Sequence, residues 1–312
     1  MAQAIEPTST KNYLDIPGWF YWYDRALFDT ILKAQDFTGD IVELGAYLGR
    51  SSVILGNHIR SGERFVVVDL FGAEASDSAN KQENERSYRT LNREQFEGNY
   101  LAFHSELPEV IQGFSSEVMA YVKPNTVRFL HVDASHLYDQ VAEDIRNAQT
   151  LLEQNGVVVL DDFRSGHTPG VAAATWEAVL GRGLKPFATS KLKMYATWGD
   201  ADFYRRVVKD LLKTDKRLGH LVHEVKGQTI VQVYAAKRPA EPAHTRSAPS
   251  KPQAEPAAPP KQSKPRERKQ PAPRPATLAG RVRHVIARDI APPALTRWVR
   301  RRKAAKPSGR PQ

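Results

Sequence analysis

Along the first 236 residues, short β-branched runs alternate with longer stretches whose apolar residues recur at helical spacing. That is the pattern of a largely parallel sheet covered by helices. Seven strands are predicted, at residues 40–44, 64–69, 100–103, 127–132, 156–160, roughly 189–197, and 228–235. The wholly apolar runs VVV and GVVVL fit central strands buried on both faces. Helices are predicted at 51–59, 82–96, 137–154, 170–180 and 201–213. In the third, Val141, Ile145, Ala148, Leu151 and Leu152 share one face, and Asn155-Gly156 stops it. Residues 1–37 form an N-terminal helical cap in which Trp19-Phe20-Tyr21-Trp22-Tyr23 leads to Leu27, Ile31 and Leu32. The aromatic run reads either as a lid over a site or as packing over the sheet edge.

The pattern changes at residue 237. Residues 237–312 hold 20 basic and 4 acidic residues, a net charge of +16, with 15 of the 21 prolines; residues 1–236 carry 25 basic and 31 acidic residues, a net of −6. A folded domain at 38–236 is therefore followed by a disordered Pro, Ala and Lys-rich linker at 237–277. In the basic tail at 278–312, Leu278, Val282, Val285, Ile286 and Ile290 fall on one helical face, suited to an anionic membrane surface. With one Trp and no interleaved aromatics, the tail is poorly suited to sequence-specific nucleic-acid reading. The absence of cysteine excludes disulfides, thiolate metal sites and a thiol nucleophile. No signal peptide or apolar run of about 20 residues appears, so the expectation is a cytoplasmic protein, peripheral at most at the inner membrane surface.

Strand one runs into Glu43-Leu44-Gly45-Ala46-Tyr47-Leu48-Gly49-Arg50-Ser51-Ser52 and then a helix. Glycines at such a junction let the backbone turn tightly and approach a ligand, and Ser51 is placed to cap the helix. The next strand ends in Asp69, where a carboxylate accepts both hydroxyls of a bound ribose, the nucleotide-site logic of open α/β sheets. The tighter Gly-x-Gly-x-x-Gly of dinucleotide dehydrogenases is absent. IVELGAYLGRSSVILG and FVVVDLFG resemble the first two motifs of class I S-adenosylmethionine-dependent methyltransferases. The resemblance implies an α/β, Rossmann-like, mostly parallel seven-stranded sheet with helices on both faces. It also implies S-adenosyl-L-methionine as cofactor, held by Glu43, Gly45, Ala46, Tyr47, Gly49, Ser51, Asp69, Ser105 and Asp133. By it, Gly45 and Gly49 line the cofactor, Glu43 faces its methionine amino end, and Asp69 holds its ribose. Ser105, expected just after strand three, matches the family's position beside the adenine.

A second constellation closes strands four and five: His131-Val132-Asp133-Ala134-Ser135-His136 and Val158-Val159-Leu160-Asp161-Asp162-Phe163. Adjacent strand ends converge on one crevice, bringing Asp133, Asp161 and Asp162 together, and three such carboxylates repel unless a cation sits among them. Hard oxygen ligands favour Mg²⁺, with Mn²⁺ or Ca²⁺ as alternatives. His136 is then the candidate general base for a substrate hydroxyl. This set is similar, position by position, to the metal-dependent O-methyltransferases, the group that includes catechol O-methyltransferase and bacterial macrolide-sugar methyltransferases. The resemblance covers residues 38–236. It implies methyl transfer to a sugar, glycan or glycosylated metabolite, because histidine is the base of the sugar branch. His131 reads as structural, and Arg164 and His167 as substrate contacts or as ordinary loop polarity. Two alternatives stay open: a catechol or phenolic acceptor, and a membrane- or nucleic-acid-associated binding module on a degenerate methyltransferase fold.

Overall fold

The alternation of side chains along each central strand gives the sheet two apolar faces, and each face acquires its own core. The computed structural model describes residues 12–73 and 92–236. In chain order the elements are α1 (Trp22–Ala34), β1 (Asp40–Leu44), α2 (Arg50–Gly56), β2 (Phe65–Asp69), α3 (Arg93–Leu101), β3 (Glu109–Gln112), β4 (Val127–Val132), α4 (Tyr138–Leu151) and β5 (Leu152–Leu160). Then follow α5 (Pro169–Gly181), β6 (Lys185–Thr189), β7 (Met194–Thr197), α6 (Ala201–Thr214), β8 (Leu218–Val225) and β9 (Gln228–Ala235), with short 3-10 turns at Tyr13–Asp15 and Ser115–Ala120. Ile41, Val67, Phe129, Val157 and Val159 point to one face, packed by apolar residues of α1, α2, α3 and α6. Val42, Val66, Leu130, Val158 and Leu160 point to the other, covered by α4, α5 and the second 3-10 turn.

The strands form one sheet in the order β3-β2-β1-β4-β5-β7-β6-β9-β8. Pairings from β3 through β5 are parallel, as is β6 with β9, while β7 runs antiparallel to β5 and β6, and β8 to β9. The architecture is the expected mostly parallel Rossmann-like sheet with helices on both faces, but with nine strands rather than seven. Among the described residues no helix is long and apolar enough to cross a membrane. The linker at 237–277, the tail at 278–312 and most of the helix predicted at 82–96 lie outside the described residues.

The differences from the predicted elements have local causes. Residues 100–103 are not a strand: Phe96 and Tyr100, four apart, bury one face of α3, whose N-cap Asn92 accepts a hydrogen bond from Gln95 N–H at 2.8 Å. The third strand is instead Glu109–Gln112, an edge strand with one buried residue, Ile111, and so almost no pattern. Residues 189–197 are broken by a turn at 190–193 into β6 and β7, closed by Ser190 N–H on the Lys193 carbonyl at 2.9 Å. β8 was not anticipated because it lies at the sheet edge without alternation; Leu221 and Val222 are each 52% exposed. Lys226 and Gly227, both at positive φ, close a two-residue hairpin from β8 to β9. Finally, α4 stops at Leu151, before Asn155-Gly156, and β5 begins with a bulge. A Cβ on Gly156 would meet the Val127 carbonyl and the Leu152 side chain at 2.8 Å, so glycine is required there by close approach.

Candidate active site

Strand order reverses between β1 and β4, so the segments leaving their carboxyl ends part and open a crevice. Gly45 leaves β1 at a φ of 83°, and a Cβ there would sit 2.3 Å from the Asp133 carbonyl, so the loop passes tightly over the end of β4. Asp69, at the tip of β2, ties the loop down: Oδ2 accepts N–H bonds from Ala46 at 2.7 Å and Tyr47 at 3.0 Å, and Oδ1 one from Phe71 at 2.6 Å. Burial raises the Asp69 pKa above the usual range, and the three N–H bonds oppose the rise. Oδ2 is filled by its two donors while Oδ1 retains capacity for one more, so Asp69 both shapes the loop and presents an acceptor at the crevice. Tyr47, itself at a φ of 51°, carries its ring 5.6 Å from Trp19, which is 66% exposed.

Three expected cofactor contacts are placed differently. Glu43 is wholly buried; its carboxylate takes the Ser52 hydroxyl and lies 2.9 Å from His131 Nδ1, so it braces β1 against β4 from within rather than facing a ligand. Ser51 does not cap α2: the N-cap is Gly49, at a φ of 89°, with no side-chain bond. Ser105 precedes β3 instead of following it, which puts it at the amino edge of the sheet, away from the strand ends that form the crevice. Its misplacement follows directly from reading the end of α3 as strand three.

The acids of strands four and five do meet at the carboxyl edge, but in two groups. Among the described residues, His131, Asp133 and Asp161 form one metal-capable set, and His136, Asp162 and His167 another. Asp162, in the left-handed region at a φ of 51°, has its carboxylate 3.0 Å from His136 Nε2. The His167 ring lies edge-on 5.8 Å from His136 and is tied to Ser165 Oγ at 2.9 Å. Asp133 is exposed at the crevice; burial of its surroundings raises its pKa, opposed by Lys193 and His131.

The cation between these acids belongs to the chain. Lys193, in the β6–β7 turn, is 1% exposed, contacts Asp161 Oδ2 and lies 3.4 Å from His131 Nε2. Burial lowers its pKa below the usual lysine range, while Asp133, Asp24 and Glu43 push it back up. Asp161 Oδ1 accepts the Asp162 N–H at 2.8 Å, so both of its oxygens have partners. A divalent ion does not fit this set as built. Two unit charges 4 Å apart repel by about 4 kcal/mol at an effective dielectric near 20, and a doubly charged ion doubles that, so the Lys193 ammonium cancels the pull of the Asp161 carboxylate. The structure divides the predicted trio of Asp133, Asp161 and Asp162 between two groups, with Asp161 beside Lys193 and Asp162 beside His136. Residue spacing carried no sign of Lys193, which lies 32 residues beyond Asp161 and reaches it only through strand pairing.

Residues 42–163 match the family model of a methyltransferase domain. Over that segment the chain is similar to methyltransferase domains. The match runs from β1 to just past β5 and holds Gly45, Asp69, Asp133, His136, Asp161 and Asp162, but not Trp19, His167 or Lys193. Among solved structures, the chain is similar to the O-methyltransferase NovP, at 16% identity over 57% of this chain and 81% of that one, with a TM-score of 0.45. A protein from Corynebacterium glutamicum gives 12% identity, 60% and 85% coverage, and 0.43. CalS11, a TDP-rhamnose 3'-O-methyltransferase of calicheamicin biosynthesis, gives 21% identity, 56% and 76% coverage, and 0.38. No curated protein sequence matches the chain.

Proposed function

We propose that this methyltransferase uses S-adenosylmethionine to methylate a hydroxyl oxygen, and that the acceptor is a sugar or glycan. The observation that carries the reading is the His136–Asp162 pair, 3.0 Å apart beside the strand ends that form the crevice. Bound S-adenosylmethionine supplies a methyl group on a positively charged sulfur, an electrophile that lacks only an oxygen nucleophile in line with it. The loop from Gly45 to Gly49 and the carboxylate of Asp69 are the residues that would hold it. Asp162 takes the His136 Nε2–H and so fixes the tautomer in which Nδ1 is the basic nitrogen. An acceptor hydroxyl seated against His136 would pass its proton to Nδ1 as its oxygen becomes the nucleophile.

The sugar reading is supported by the rim. Trp19 offers an exposed ring beside Tyr47, which suits the C–H face of a pyranose, while His136 and His167 supply polar partners for hydroxyls. The divalent metal is left out because Asp161 already has its cation. The basic tail enters only as a means of association with anionic surfaces.

Calorimetric titration of the full chain with S-adenosylmethionine tests the core of the proposal. Native chain should bind one equivalent, and Asp69→Ala should weaken binding by roughly tenfold or more, the loss of a charge-assisted hydrogen-bond acceptor. No binding by the native chain sinks the reading and leaves a binding module. A panel of sugar and catechol acceptors with labelled cofactor then separates the two acceptor classes.

A further inference from the structure

We propose that the Lys193 ammonium is a built-in cation standing where the resemblance puts a divalent metal, so that methyl transfer by this chain needs no metal. The inference rests on the methyl-transfer reading and deepens it by saying what balances the acids of the crevice.

Tertiary pairing puts the amine there. β7 runs antiparallel to β5 with Met194 opposite Leu160, which sets Lys193, one residue before β7, beside Asp161, one residue after β5. The turn is held by Ser190, whose N–H bonds the Lys193 carbonyl at 2.9 Å and whose Oγ accepts the Lys193 N–H at 3.1 Å. The amine contacts Asp161 Oδ2 and lies 5.3 Å from the centre of the Phe20 ring, a cation–π distance. Asp24, wholly buried on α1 and bonded to Tyr195 Oη at 2.7 Å, adds a further carboxylate acting on the amine. Phe20 is buried beside the amine, and Lys193 itself is 1% exposed.

The remaining donors are committed as well. Asp161 Oδ1 holds the Asp162 N–H, the Asp162 carboxylate holds His136, and His131 is set between Glu43 and Lys193. Asp133 faces solvent and Asp162 does so in part, but Asp162 is paired with His136, which leaves Asp133, among the described residues, as the one carboxylate of the predicted trio without a cationic partner of its own. A fixed monovalent cation gives what the metal would give the protein, charge balance among converging acids, but it cannot chelate two substrate oxygens. The acceptor therefore needs a single hydroxyl in line with the methyl group, not a vicinal pair.

The test uses the full chain, stripped with EDTA and dialysed. Mn²⁺ alone is titrated in, with free Mn²⁺ read by electron paramagnetic resonance, and methyl transfer is measured separately in excess EDTA. The native chain should leave Mn²⁺ free up to concentrations on the order of millimolar, and transfer should be unchanged by EDTA. Lys193→Met, which keeps the stem and removes the charge, should bind Mn²⁺ roughly tenfold tighter or more. Stoichiometric Mn²⁺ binding by the native chain that is lost in Asp161→Asn overturns the proposal, as does loss of transfer in EDTA. So does a folded Lys193→Met chain with no gain in Mn²⁺ affinity. If Lys193→Met does not fold, the native titration decides alone. Absence of any methyl transfer removes the enzymatic reading while the Mn²⁺ titration still tests the cation.

Discussion

Arg128 is the second residue of β4 and Asp133 follows its last, and the two ends of that strand treat charge in opposite ways. At the amino edge, Arg128 is wholly buried and every contact is matched. Its Nε and Nη2 meet the two Glu63 oxygens at 2.9 Å, Nη1 meets Gln35 at 3.0 Å, and Nη2 also reaches the His58 carbonyl at 2.6 Å. Burial alone would raise the Glu63 pKa, but bonds from Arg128, Arg60 N–H and Gly39 N–H carry it below the usual range. At the carboxyl edge, acids outnumber cations, Asp133 is open to solvent, and the His136–Asp162 pair is partly exposed. A closed, fully paired cluster holds elements together and offers nothing to a ligand. An open one with surplus carboxylate is held in place by the same sheet and retains groups that can act.

That contrast can be broken at either end. The largest effect is expected from Glu63→Ala, which strands the Arg128 guanidinium and should cost roughly 3 to 5 kcal/mol in urea unfolding. Cofactor affinity of the folded fraction should hold; unchanged stability would mean the amino-edge cluster is not structural. At the other edge, His136→Ala should lower turnover by roughly 100-fold, about 2.7 kcal/mol in barrier, with the unfolding midpoint nearly unmoved. Near-normal turnover in that variant would place the base elsewhere.

The smallest effect sharpens the comparison from the apolar layer between the edges. Asp144, wholly buried on α4, has its pKa pushed up to about 7 by burial, with Ser115 opposing and Glu143 adding. Its folded pKa exceeds its unfolded one, so the folded state binds the proton more tightly. Stability is therefore lost as pH rises from about 4 to about 7 and the cost is complete above that. Asp144→Asn should stabilise by roughly 1 to 2 kcal/mol at pH 8, less than a shift of this size implies once the buried site relaxes, and by almost nothing at pH 4. Equal gains at both pH values, followed by thermal unfolding, would show that charge is not the cause.

Central features were readable because their signals are local. β1, β4 and the apolar run of β5 announce themselves as strands buried on both faces, and β1 and β4 have the predicted bounds. Asp69, Asp133, Asp161, Asp162 and His136 all stand at the carboxyl edge, because each follows or ends a strand whose direction the βα alternation dictates. Edge strands were the weak point. β3 and β8 lack the buried alternation that marks a strand, and misreading the end of α3 as a strand carried Ser105 to the wrong edge. Trp19-Phe20-Tyr21-Trp22-Tyr23 proved to be both of its readings at once: Phe20 and Tyr23 pack in the core while Trp19 stands exposed beside Tyr47.

By itself, then, the sequence determined the class of fold, the tight Gly45 turn and the set of acids that gather at one sheet edge, since hydrophobic period and strand ends are properties of neighbouring residues. Which acids pair with which was decided only in three dimensions. The antiparallel register of β7 on β5 brings a lysine from 32 residues downstream onto Asp161, and the left-handed turn at Asp162 accompanies its pairing with His136. Charge balance in a buried site depends on every element packed around it, and no local spacing records those contacts.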